Sequence, residues 1–259
     1  MNKFIKYILV ITALPLIWVS CTKDRAYVAK FQGVDNYAYL RIVHISPNFR
    51  AIYGKPDSMN LMVDGNKMNG TLVSFGALVP SSNTSNAYLA VNPGTRAIEL
   101  ALPNKVGTTP DSTYVLTKTK NLTAGSYYSL YITDNVMSSA DASQIWLNDN
   151  FTTPSDGTFS LRFIHGVLDD APNAIDIYSI RAASNIFSAY TPGQVSNFIQ
   201  LPYNTLSDTL IVRRAGTTTE LARMNAVSFS NRRVYTLYYK GSMNLTGAKA
   251  KGLAYDINL

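Results

Sequence analysis

The 259-residue chain is 46% hydrophobic and 15% charged, contains 17 tyrosines, and carries a formal charge of +7. Disorder needs few apolar residues and high charge, so it is excluded as the main state. The length suits two packed domains better than one small core, and the abundance of tyrosine, threonine and serine leans toward strands.

The N-terminus opens on Lys3 and Lys6, continues as an almost wholly apolar run from Tyr7 to Val19, and reaches Ser20-Cys21. A basic start, a short apolar stretch and a small residue describe a secretory signal. As a helix that run rises only about 20 Å, short of the roughly 30 Å hydrocarbon core, so a permanent span is disfavoured. Cys21 is the one cysteine of the chain, and Val19-Ser20-Cys21 resembles the end of a bacterial lipobox, with Trp18 where leucine is usual. The expectation is a lipoprotein signal peptide over 1–20, then a lipidated Cys21 and tether over 21–36. Acyl chains such as palmitate on Cys21 anchor the protein to the outer membrane, on its periplasmic or surface-exposed side. Without Lys3 and Lys6 the chain keeps 21 basic against 16 acidic residues, a net charge of +5. A single cysteine leaves no disulfide to hold the domains.

Tyr27–Phe31 reads as an edge strand. Tyr39 to Ile45 then alternates at period two and stops at Ser46-Pro47-Asn48, the signature of a half-buried strand ended by a turn. Similar runs follow at Met59–Val63, Leu72–Phe75, Ala87–Val91, Ala97–Leu102, Ser112–Lys118, Tyr127–Thr133 and Ser143–Leu147. Turn residues separate them, including Asp64-Gly65, Asn92-Pro93-Gly94 and Ala124-Gly125. Short strands at such regular spacing predict a sandwich or barrel.

The pattern then restarts. Leu40-Arg41-Ile42-Val43-His44 returns as Leu161-Arg162-Phe163-Ile164-His165, and Asn60 in Met59–Val63 is matched by Asp176 in Ile175–Tyr178. Ala97–Leu100 corresponds to Thr209–Val212, and Tyr128-Ser129-Leu130-Tyr131 to Tyr235-Thr236-Leu237-Tyr238. Two copies of one plan are a tandem duplication rather than a solenoid. The boundary falls in Asn148–Gly157, giving domains over 37–150 and 151–259.

Leu40-Arg41-Ile42-Val43-His44-Ile45-Ser46-Pro47, leading to Leu61-Met62-Val63-Asp64-Gly65, resembles the opening of the domain of unknown function 4397 family. In the second copy Leu161–His165, Ala171-Pro172 and Ala174–Tyr178 match the same strands, while Gly166–Asp170 departs from the Ser-Pro turn. The resemblance implies an all-β protein of two tandem immunoglobulin-like β-sandwich domains, secreted or surface-anchored, and it implies no activity.

The chain's two histidines, His44 and His165, occupy one repeat position. They read as structural residues whose imidazoles tie a loop to a strand end, against a metal or general-base alternative. Arg41 and Arg162 read as strand residues facing solvent or pairing with a carboxylate across the sheet. Asp169, Asp170, Asn173 and Asp176 form the densest cluster of oxygen ligands, with Asp169, Asp170 and Asp176 as calcium candidates, outside the EF-hand spacing. Tyr127, Tyr131, Tyr235 and Tyr239 are either sheet packing or an exposed platform for a glycan. No GxSxG, HExxH, Walker-type or GxGxxG motif is present, and no cofactor is expected. The reading is a non-catalytic cell-envelope lipoprotein whose sandwiches bind or space a glycan or an envelope protein, with no nucleic-acid partner. The alternative is a loop-based extracytoplasmic hydrolase acting on a glycan.

Overall fold

Strand-forming alternation governs almost everything the computed structural model describes, which is residues 36–47, 58–81, 87–103, 114–133 and 144–259. The leader, Cys21 and the Tyr27–Phe31 stretch lie outside the described residues. The first half contains β1 (Ala38–His44), β2 (Ser58–Val63), β3 (Asn66–Lys67), β4 (Val73–Ser74) and β5 (Leu78–Val79). It continues with β6 (Leu89–Val91), β7 (Gly94–Ala101), β8 (Tyr114–Leu122), β9 (Tyr127–Ile132) and β10 (Gln144–Asn148). The second half contains β11 (Thr158–His165), β12 (Ile175–Ser179), β13 (Ser184–Tyr190) and β14 (Ile199–Pro202). It ends with β15 (Asp208–Arg214), β16 (Glu220–Val227), β17 (Val234–Lys240) and β18 (Gly252–Ile257).

Each half is a two-sheet sandwich. In the first, β10-β9-β1-β5 faces β3-β2-β7-β8; in the second, β18-β17-β11-β14 faces β13-β12-β15-β16. The duplication read from the sequence is preserved to the single residue in the register. Leu40 pairs with Tyr128 and Leu161 with Tyr235, both across a parallel ladder, while Leu61 pairs with Leu100 and Ile177 with Val212 across antiparallel ones. A parallel pair cannot be closed by a tight hairpin, so each copy spends its intervening strands on the opposite sheet before returning. Tyr128 and Tyr235 also repeat a local device: the Thr123 and Ser230 amides donate to their hydroxyls at 3.1 and 2.9 Å, a corner typical of immunoglobulin-like sandwiches.

Period two explains where the cores sit. In β1, Ala38, Leu40 and Ile42 face the first core, and in β11 Phe159, Leu161 and Phe163 face the second. The opposite faces of the same strands are buried too. Val43, Ile45, Tyr131 and Ile145 of the first half pack with Ile164 and Tyr238 of the second in a third apolar cluster. The sheets carrying β1 and β11 are therefore covered on both sides, as the run of buried residues along each strand shows.

Polar residues line this middle layer in reciprocal fashion. Arg41 donates to the carbonyl of Ile257 at 2.6 Å and to that of Ala87 at 3.2 Å, and Arg162 donates to Asp149 and to Thr236. Each guanidinium also lies over a ring, Tyr88 at 4.1 Å and Phe198 at 4.5 Å, and these rings precede the corresponding residues Leu89 and Ile199. Ser129 donates to Asp149 as Thr236 donates to Asn258. The symmetry breaks at Asp256, which accepts from Tyr131 at 3.2 Å and from Tyr238 at 3.1 Å where the first copy has Leu147.

The glycines at Gly76 and Gly193 hold equivalent turns with φ of +82° and +85°, a region that favours glycine. Their amides donate to the carbonyls of His44 and His165 at 2.7 and 2.8 Å. Gly166 serves the middle layer: a Cβ there would meet Ile45 Cδ1 at 2.6 Å and the Tyr239 carbonyl at 2.9 Å.

Candidate functional site

The strand positions singled out from sequence are mostly absorbed by packing. Tyr131, Tyr235 and Tyr239 are buried, so the expectation of an exposed aromatic platform is corrected in favour of the packing alternative. Tyr131 points into the layer between the halves, and Tyr235 and Tyr239 point into the second core. Tyr127 is half-buried and stacks on Tyr39 with centroids 4.6 Å apart. Arg41 and Arg162 are buried rather than solvent-facing, and Arg162 meets its carboxylate across the two halves.

His44 and His165 do sit at strand ends that hold loops, and their backbone takes part in the tie. Their amides donate to the carbonyls of Ala77 and Gln194 at 3.0 Å each, alongside the glycine contacts above. The His165 ring is fully buried against Tyr239, and its Nε2 lies 4.0 Å from Asp170 Oδ2, too far for a hydrogen bond. Burial, with Arg214 assisting and Asp170 opposing, pulls its pKa down to about 4.

The calcium candidates are corrected likewise, because each carboxylate is committed to different donors. Asp170 takes a bidentate pair from Arg214 at 2.9 and 3.0 Å, and Asp169 accepts from Ser242 and from the Met243 amide. Asp176 accepts from Asn185, Ala189 and Gly216. Among the described residues no three of His, Cys, Asp and Glu converge as a metal set.

The site that sequence reading missed is a cleft of about 260 Å³ at one end of the second sandwich. Its floor is the apolar inner surface of both sheets: Phe159 and Leu161 of β11, Leu201 of β14, Leu210 of β15, and Phe229, which stacks on Phe159 at 4.8 Å. Its rim is two loops, Arg181-Ala182 and Tyr203–Leu206, where Leu206 is 69% exposed. Asp208 fixes one side of the mouth by accepting from Ser179, from the Arg181 amide at 3.0 Å and from the Thr209 amide at 2.7 Å. Asn204 fixes the other by accepting from the Leu206 amide at 2.9 Å. Among the described residues that line the cleft, Asp208 is the one carboxylate. An apolar floor with a polar, aromatic and cationic rim is the general form of a small ligand site. The exposed Leu206 was the available signal in the sequence, an apolar residue inside a polar turn.

The family model for the domain of unknown function DUF4397 matches residues 38–178, more than half of the chain. The chain belongs to the DUF4397 family. The DUF4397 match spans the whole first sandwich and continues through β11 and most of β12, the strands that repeat β1 and β2.

No curated relative matches the chain. Among solved structures, a candidate polysaccharide-binding protein (DUF1812) from Bacteroides thetaiotaomicron is 10% identical with a TM-score of 0.24, covering 85% of this chain and 96% of that one. A leucine-rich repeat protein from the same organism is 12% identical with a TM-score of 0.20, covering 82% of this chain and 26% of that one. A candidate adhesin from Bacteroides ovatus is 11% identical with a TM-score of 0.18, covering 84% of this chain and 95% of that one. Likenesses this weak carry no argument about ligand or role for this DUF4397 protein.

Proposed function

We propose that the protein is a non-catalytic cell-envelope lipoprotein, anchored at Cys21 in the outer membrane, whose paired sandwiches present a binding surface to a glycan or an envelope protein. The observation that carries this reading is the cleft of the second sandwich. It joins an apolar, aromatic floor to a rim whose polar groups are already oriented by Asp208 and Asn204. Preformed apolar sites with few fixed polar groups bind without needing a reactive residue. Glycoside hydrolysis needs two carboxylates flanking the scissile bond, and Asp208 is the one carboxylate among the described residues lining the cleft and is engaged by three donors.

The test is a glycan array and an envelope-protein pull-down with the full chain, repeated with Leu206→Asp and Tyr203→Ala. The expected result is a captured ligand whose binding both rim variants abolish while the melting temperature stays unchanged. Turnover of any captured glycan, or binding indifferent to both variants, overturns the reading.

A further inference from the structure

The cleft at the end of the second sandwich has two chemically distinct levels. Below the rim it is walled by Phe159 and Leu161 of β11, Ile186 of β13, Leu201 of β14, Val227 of β16 and Phe229, none of which has a hydrogen-bonding side chain. The Ser179 hydroxyl that borders them is already spent, donating to Asp208 and accepting from the Ala182 amide at 3.0 Å. A sugar or peptide group at this depth would leave its polar atoms without side-chain partners, a cost that an aliphatic chain avoids.

The rim adds positive charge. Arg181 is the one cation among the described residues that line the cleft; it is exposed, and its guanidinium enters no ion pair among them. The Asp208 carboxylate is turned to the Ser179 hydroxyl and to the Arg181 and Thr209 amides rather than to that guanidinium. Arg232 and Arg233 are exposed on the neighbouring turn between β16 and β17 and are likewise outside any ion pair among the described residues. The Arg232 amide donates to Thr158 while the Tyr203 amide of the rim donates to Gly157, so the two loops flank one stretch of backbone. Ile180, beside Arg181, is 49% exposed, and with Tyr203 and Leu206 it places three of the six large exposed hydrophobics of the described residues at this end. Such clustering marks an interaction site rather than scattered surface residues.

We infer that the cleft holds the alkyl chain of a fatty carboxylate, with the chain against the apolar walls and the carboxylate at Arg181. The inference rests on the reading of this cleft as a binding site and names the group that enters it, while glycans and peptides are held to the rim. Arginine meets a carboxylate through two parallel N–H donors, which a neutral head cannot use. At about 260 Å³ the cleft is smaller than the roughly 300–1,000 Å³ of most ligand sites, which suits one slender chain and not the paired chains of a bilayer lipid.

Isothermal titration calorimetry of the full chain with octanoate, decanoate and dodecanoate, each below its micelle concentration, reads both levels. Each methylene taken between apolar walls strengthens binding about fourfold, so affinity is expected to rise with chain length until the cleft is full. Decyl maltoside, which sets the chain of decanoate under a neutral sugar head, is expected to bind about tenfold more weakly than decanoate. Arg181→Gln is expected to melt like wild type, to weaken decanoate about tenfold and to leave decyl maltoside unchanged. Ile186→Phe fills the cleft, leaves the apolar run from Tyr7 to Val19 as it is, and is expected to abolish binding; its melting temperature is read alongside, and if it fails to fold the Arg181→Gln comparison decides. Affinity indifferent to chain length, decyl maltoside binding as tightly as decanoate, or decanoate binding unchanged by Arg181→Gln overturns the inference. A glycan or protein captured through Leu206 with no alkanoate binding also overturns it and leaves the cleft a binding site. Alkanoate binding without such a capture upholds it and overturns the glycan and envelope-protein reading instead.

Discussion

Arg41 and Arg162 hold the same position in the two copies, and each closes on the end of the other copy's last strand. Arg162 makes a buried ion pair with Asp149, just past β10, while Arg41 donates to Ile257, the last residue of β18. A guanidinium buried between sheets is tolerated only with such acceptors in place, because its desolvation is otherwise uncompensated.

The first prediction follows from that pair. Asp149→Ala removes the acceptor of Arg162, Ser129 and Tyr88 together and should lower stability by about 3–5 kcal/mol in urea denaturation. Asp149→Asn, which installs what the second copy has at Asn258, should cost less. A loss under about 1 kcal/mol for the alanine variant would show that Arg162 finds another partner.

His165 sets a pH dependence. Its pKa in the folded protein is depressed to about 4, chiefly by burial, while an unfolded histidine titrates near 6.5. The unfolded chain therefore takes up the proton first, and the His165 contribution to stability falls as pH drops from about 6.5 to about 4, by up to about 3 kcal/mol. His165→Phe should remove this contribution, leaving the opposite trend of Asp256. Urea melts at the two ends of that window check it, and parallel losses in wild type and variant would count against His165 as the source.

Asp256 works in the opposite direction. Burial lifts it to about 6, against the lowering effects of Arg41, Tyr238 and Tyr131. Its contribution is stabilising in acid and lost as pH rises through about 6, so the ionised form at neutral pH costs about 3 kcal/mol. Asp256→Leu combined with Tyr131→Phe and Tyr238→Phe should equal or exceed wild-type stability at pH 7 and fall behind at pH 5. The single Asp256→Leu change should cost about 1–3 kcal/mol per hydroxyl it strands. A triple variant as weak as the single one at pH 7 refutes this balance.

Residues 155–259 contain a complete core, so this fragment should fold and melt cooperatively on its own. It should also melt below the full chain, because Ile164, Tyr238 and Arg162 lose their cover. Calorimetry of both proteins checks the expectation, and an insoluble or molten fragment would move the domain boundary.

Cys21→Ala should shift the protein from the membrane fraction to the soluble one without changing its melting temperature. Fractionation after a salt wash reads the outcome; persistence in the membrane fraction is incompatible with a lipid anchor at Cys21.

Much of the fold was legible because period-two alternation is a direct record of strand faces. The repeat of Leu40–His44 at Leu161–His165 and of Tyr128–Tyr131 at Tyr235–Tyr238 is carried into equivalent registers of both parallel ladders, though the pairing itself was not readable from it. What alternation does not record is what covers each face. Ser129 and Tyr131 point outward from their own sandwich, opposite Tyr128 and Leu130, but the other copy closes over them. For the same reason alternation left Arg41 and Arg162 open between facing solvent and pairing with a carboxylate, and Arg162 pairs with Asp149. The cleft was illegible because its floor consists of ordinary core residues, and its mouth depends on how the loops at 181–182 and 203–206 splay in space.

The crossed arginines have a consequence for copy number. Reciprocal contacts of this kind are the geometry of a twofold homodimer, here written into one polypeptide. Unequal recombination that collapsed the tandem to a single repeat would leave one guanidinium buried against a missing strand. Adding a third repeat would offer no face for it to cover, since both middle sheets are already occupied on each side. The two copies cover each other's middle sheets, so they can change at these positions only in concert.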